Sequence, residues 1–163
     1  MRRFIEGHLA SGEVARVLYG AIIALALIVA LEDHPPTAGE AIGALLGTAV
    51  AVGLAELYAE LVAAEARTRQ PIHLERIKTF AADAAAVAFG AAVPAVYFIL
   101  AAAGAIHLHT AFQIAKWSGL GLICAYGFVG ARLTGAGPVR AIGQTLVVGA
   151  IGMGLIVLKS LTH

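Results

Sequence analysis

Five stretches of this chain are apolar over about the length that a helix needs to cross a bilayer, and very little sequence lies between them. They run at residues 14–31, 40–64, 79–103, 109–131 and 140–159, each near the ~20 residues that a hydrocarbon core of about 30 Å demands of a helix. Composition agrees, with 60% of residues hydrophobic and 13% charged, where soluble domains carry about a quarter charged. Inside a bilayer, backbone polar groups must be satisfied within a helix or around a closed barrel. The two-residue alternation of barrel strands is absent here, and Ala, Leu and Gly dominate, so the expected fold is all-α: a polytopic membrane protein of five transmembrane helices.

Basic residues orient such a chain, because Lys and Arg near the ends of spans are retained on the cytoplasmic side. Arg2, Arg3 and Arg16 lie at the start, Arg67, Arg69, Arg76 and Lys78 between the second and third segments, and Arg132 and Arg140 around the turn between the fourth and fifth. Nine of the eleven basic residues then share one side, which predicts an inside N-terminus and an outside C-terminus. Glu32, Asp33, Glu40 and Lys116 fall on the other side. Glu6 and Glu13 among the arginines, with no small-residue cleavage motif after Leu31, mark the first segment as a retained helix and not a signal peptide.

Residues 1–13 read as a surface segment, Phe4, Ile5 and Leu9 toward lipid and Arg2, Arg3 and Glu6 toward water. Residues 14–163 then form one membrane domain, since no connection is long enough to hold a second folded unit. Alanine-rich composition points to a multi-pass protein of a bacterial plasma membrane. Because the basic residues follow topology and form no patch, nucleic acid is not an expected partner. No nucleophile and base occur in a recognised arrangement, so neither an enzyme nor a resident cofactor is expected.

Against this apolar background three acids stand out: Glu56 and Glu60 in the second segment and Asp83 in the third. Carboxylates within a membrane are costly and are retained mainly where they face a cavity, a partner or an ion path. Counted from the segment ends at 1.5 Å per residue, Glu60 and Asp83 lie about 7 Å inward and Glu56 about 13 Å inward. Tyr126 and Gln144 approach from the same side in the fourth and fifth segments. Together these five side chains predict an oxygen-lined vestibule, suited to hard cations such as Mg²⁺, Mn²⁺ or Fe²⁺. The competing reading pairs Glu60 and Asp83 with Arg16, Arg132 or Arg140 at the rim. Glu56, deeper and expected to lie beyond those arginines, is the one residue assigned as a metal ligand or proton carrier.

Other features concern packing. A small residue recurs at every fourth position of the second segment, Gly43, Gly47, Ala51, Ala55, Ala59 and Ala63, a stripe that lets another helix approach closely. Pro94 with Gly90 one turn earlier predicts a kink in the third segment. His107 and His109 read as residues of an outer loop, because on a helix that spacing turns the rings to nearly opposite sides.

Several strings resemble the vacuolar iron transporter family of divalent-metal carriers. Gly130-Ala131-Arg132-Leu133-Thr134-Gly135, then Arg140 and a last segment containing Gly149-Ala150, is similar to that family's turn between helices four and five. Gly90-Ala91-Ala92-Val93-Pro94 resembles its helix-three segment, and Ala55-Glu56-Leu57 occupies the place of a Gly-Glu-Tyr motif. The likeness spans residues 14 to 160 at low identity and implies a five-helix protomer that pairs into a homodimer through helices one and two, with Fe²⁺ or Mn²⁺ as transported substrate. The chain departs from the pattern at Gly20-Ala21-Ile22-Ile23-Ala24, where the family has an Asn-Asp-Gly element, and at Ala51-Val52, where it has Ser-Met. The family's glutamate-rich cytosolic region is also missing. Three functions are therefore expected to compete: a divalent-metal or proton-coupled cation transporter using Glu56, a non-transporting scaffold or partner subunit that kept the fold and lost the metal site, and a carrier for another small solute that reuses the fold with different polar groups.

Overall fold

A computed structural model of the chain describes residues 12–32, 34–68, 74–133, 135 and 137–161. The described residues form helices and turns, with no strand among them. The helices are α1 (Gly12–Leu31), α2 (Ala38–Thr68), α3 (Leu74–Ala92), α4 (Ala95–Ala102), α5 (Leu108–Leu133) and α6 (Pro138–Leu161). Three of them contain stretches long and apolar enough to cross a membrane: Val14–Leu31, Ala38–Arg67 and Leu108–Arg132. The bent pair Ile77–Ala92 and Ala95–Ala102 makes a fourth if it is one broken span. α6 matches the fifth expected segment in position and runs for 24 residues, but it is not among the helices so counted. The surface segment expected at residues 1–13 lies, except for its last two positions, outside the described residues.

The kink expected at Pro94 is present as a bend of 47° between α3 and α4. Proline has no N–H to give to the preceding turn. The last regular bond before it runs from Val93 N–H to the Phe89 carbonyl at 3.1 Å, and the chain then tightens through Val96 N–H to Val93 O at 3.3 Å. α4 is capped by Ala103 and followed by Gly104, whose φ of 75° is left-handed. Gly104 N–H donates to Ala101 O and Ala105 N–H to Leu100 O, the pair of bonds that satisfies orphan carbonyls at a helix end. α2 begins with a reciprocal cap in which Thr37 N–H donates to Glu40 Oε2 at 2.8 Å and Glu40 N–H to Thr37 Oγ1 at 3.3 Å.

α1 is the hub, packed along α3 and α5 and touching α2 and α6, while α2 also lies on α3 and α6 on α5. The larger core cluster gathers near the C-terminal end of α1. It joins Ala24 and Ile28 to Leu45 of α2, Phe98 of α4, and Phe112 and Ala115 of α5. The Phe98 and Phe112 rings meet edge to face, with centroids 4.8 Å apart, the arrangement that aromatic quadrupoles favour. Leu25 and Ile123 anchor a second cluster between α1 and α5.

The closest helix approach uses glycines that the sequence reading did not assign to packing. A Cβ on Gly20 would overlap the Val87 carbonyl oxygen, and one on Gly90 would overlap the Val17 carbonyl oxygen. α1 and α3 therefore cross backbone to backbone, as small residues allow. The stripe on α2 has a different place. Gly43, Gly47, Ala51, Ala55 and Ala59 are exposed and Ala63 is half-buried, and nothing lies within 4 Å of a Cβ built on Gly43 or Gly47. Within the protomer α2 buries Ala41, Leu45, Ala49 and Gly53 instead, offset by two residues and so on the opposite face.

Candidate functional site

Arg16 of α1 lies between α2 and α3. Its guanidinium faces Asp83 Oδ2 at 3.0 Å, Glu60 Oε1 at 3.7 Å and Glu56 Oε1 at 3.9 Å. The local reasons are legible residue by residue. Glu56 and Glu60 are four apart on α2 and so share a face. Gly53, one turn before Glu56, lets α2 approach α3, since a Cβ there would sit 3.2 Å from the Ala88 methyl and 3.3 Å from the Ala84 carbonyl oxygen. The Gly20–Gly90 crossing draws α1 onto α3 beside Val17, the neighbour of Arg16, and Val87, one turn beyond Asp83.

Only the Asp83 contact is short enough for a good hydrogen bond; the glutamates are held by charge at longer range. Arg16 is 24% exposed, Glu56 28%, Glu60 29% and Asp83 17%, so no member is fully enclosed by the protomer. Among the described residues Arg16 is the only basic side chain within 4 Å of these carboxylates. With all four ionised, the cluster carries two net negative charges.

The expected pairing of Glu60 and Asp83 with an arginine is present, through Arg16 and not through Arg132 or Arg140. Glu56 differs from expectation, because it too lies within ion-pair distance of that arginine. The depth estimate placed the arginines at the rim, whereas Arg16 is the third residue of the apolar stretch Val14–Leu31, and its side chain spans a full turn of α2.

Tyr126 and Gln144 do not join this cluster. Both line a groove of about 620 Å³ between α1, α5 and α6, together with Val14, Leu18, Gly130 and Arg140. Val14 and Leu18 are two residues either side of Arg16, about 200° around α1. α1 therefore stands between the two sets, and the single vestibule expected from sequence is divided into a charged cluster and an apolar groove. Among the described residues no group of three or more His, Cys, Asp or Glu side chains is arranged to hold a metal ion. His107 and His109 are exposed.

A second charged contact went unread in the sequence. Lys116 Nζ of α5 donates to Glu32 Oε1 at 2.8 Å and to Oε2 at 2.9 Å, and Gln113 Nε2 donates to Glu32 Oε1 at 3.1 Å. Gln113 and Lys116 are three apart on α5, hence on one face, and an acid just past the end of α1 assigned to the same side as Lys116 was the available signal.

No protein-family model matches this chain, and no curated protein or solved structure matches it.

Proposed function

We propose that this protein is a multi-pass membrane transporter for a cation, a divalent metal such as Fe²⁺ or Mn²⁺ or a proton, whose path runs past Glu56, Glu60 and Asp83. The observation that carries the reading is the charge imbalance at Arg16: three carboxylates from two helices converge on one guanidinium, at 3.0 to 3.9 Å. A merely structural bridge needs one acid for one base, and each additional carboxylate within a membrane adds cost. Excess negative charge around a partly exposed cation is what an exchange site requires. An incoming cation takes the carboxylate oxygens, and Arg16 withdraws and returns as the tethered countercharge that resets them.

The resemblance to vacuolar iron transporters supports the same reading, through Ala55-Glu56-Leu57 and the turn from Gly130 to Gly135. It implies five spans and a homodimer; the distribution of basic residues supports an inside N-terminus and an outside C-terminus, and the alanine-rich composition a bacterial plasma membrane. The exposed small-residue face of α2 supports pairing through α1 and α2. A second reading, a non-transporting scaffold, is favoured by one specific observation: Arg16 itself occupies the centre of the acid cluster and bonds Asp83 at 3.0 Å.

The test is uptake of Fe²⁺, Mn²⁺ and protons into proteoliposomes, beside Glu56→Gln and Arg16→Gln. Transport predicts flux that Glu56→Gln abolishes and that Arg16→Gln alters in rate or ion preference. Absence of flux from the folded wild-type protein with every ion would sink the transport reading in favour of the scaffold.

A further inference from the structure

We infer that the groove between α1, α5 and α6 holds an anionic phospholipid, with the phosphate at Arg140 and the upper part of one acyl chain along the groove floor. The groove is continuous and almost wholly aliphatic along its length. Its volume of about 620 Å³ falls in the range of about 300–1,000 Å³ typical of small-molecule sites. From Arg140 to Val148 the α6 wall runs for eight residues, about 12 Å of helix, which matches the glycerol-proximal part of an acyl chain and not a compact polar ligand.

The polar groups of the lining are Arg140 in the first turn of α6, Gln144 one turn on, and Tyr126 across on α5; Gly127, next to Tyr126, packs beside Thr145 and Val148, so the charge stands at one end and the amide and hydroxyl lie along the slot. No carboxylate lines the groove, and among the described residues Arg140 makes no ion pair with an acid. A positive charge at one end of an aliphatic slot, with an amide and a hydroxyl along it able to reach glycerol and ester oxygens, in a chain with helices able to cross a membrane, complements a lipid phosphodiester joined to its hydrocarbon. Basic pockets of this kind between membrane helices select acidic headgroups. The space itself comes from missing side chains: Gly143 has nothing within 4 Å of where its Cβ would stand, and a Cβ on Gly127 would meet the Val148 side chain at 3.6 Å and the Thr145 Cα at 3.9 Å, ordinary contact distances. The inference rests on the chain lying in a membrane and is independent of whether it transports a cation.

The experiment is native mass spectrometry of the full chain in detergent, titrated with phosphatidylglycerol, with phosphatidylcholine of the same acyl chains, and with inorganic phosphate. The result expected is one phosphatidylglycerol retained per chain in preference to phosphatidylcholine. Arg140→Gln should weaken that retention about fivefold, as one basic residue near an acidic headgroup would. Gly143→Leu should abolish retention by filling the slot, whereas Gly143→Ala should preserve it. Both positions are exposed, and unchanged helix content and elution volume of the variants establish that they fold. Equal retention of the two lipids, binding of inorganic phosphate alone, insensitivity to Gly143→Leu, or occupation of the groove by a second copy detected by cross-linking from position 143 would each overturn the inference.

Discussion

Lys116 at one end of the bundle meets one acid, while Arg16 at the other end meets three. On α1 the two contacts are separated by sixteen residues, from Arg16 to Glu32, or about 24 Å. Around Lys116 the bonds are short: Glu32 takes two from the ammonium and one from Gln113, beside the aromatic and alanine core. Around Arg16 two of the three distances are 3.7 and 3.9 Å, too long to be saturated bonds. The first contact behaves as a lock between α1 and α5. The second holds charge in excess of what holding helices together requires, and that surplus is why we assign function to it.

The contrast can be broken most severely through the glycine crossing on which the Arg16 cluster depends. Gly90→Val should cost more than about 3 kcal/mol, because the added carbons would meet the Val17 backbone, which cannot yield as a side chain can. It should part Arg16 from Asp83 and leave Lys116 and Glu32 joined. A large fall in the thermal midpoint by detergent-phase size exclusion checks the cost, and hydrogen exchange in the first half of α1 and in α3, compared with that around Lys116 in α5, checks which end opens.

A smaller effect is expected from Arg16→Gln, about 2 kcal/mol, since three carboxylates would face one another without a cation in a partly hydrated site. Adding Asp83→Asn should recover much of that loss by removing one of the three charges. If the double variant is no more stable than the single one, mutual repulsion is not what Arg16 relieves. Lys116→Gln should cost least, about 1 kcal/mol, because Gln113 still donates to Glu32 and a neutral amide can replace one of the lost bonds. A thermal shift for Lys116→Gln larger than that for Arg16→Gln would invert the comparison.

Much of the architecture was legible before any coordinates. The apolar runs mark the helices within a few residues, and Pro94 marks the bend, since both follow from backbone chemistry that is local to the chain. Glu56, Glu60 and Asp83 were legible as a set, because acids in such segments are conspicuous. Arg16 was one of three arginines open to Glu60 and Asp83; α1 crossing α3 at Gly20 and Gly90 selects it and brings Glu56 within its reach as well. The same crossing explains why the small-residue stripe of α2 drew attention within the sequence while the tighter contact lay elsewhere. Spacing reveals that a face is small, and only a neighbour decides whether that face is used.

By itself, then, the sequence determined that this chain is helical, suited to a membrane, bent at Pro94 and burdened with three costly acids, because periodicity, hydropathy and proline act over a single turn or span. Tertiary structure decided which charges meet, that Tyr126 and Gln144 belong to a groove separate from the acids, and that α1 stands between the two. Those outcomes depend on how helices far apart in sequence are rotated and crossed, and that is set by backbone contacts between glycines and carbonyls which no one-dimensional pattern records.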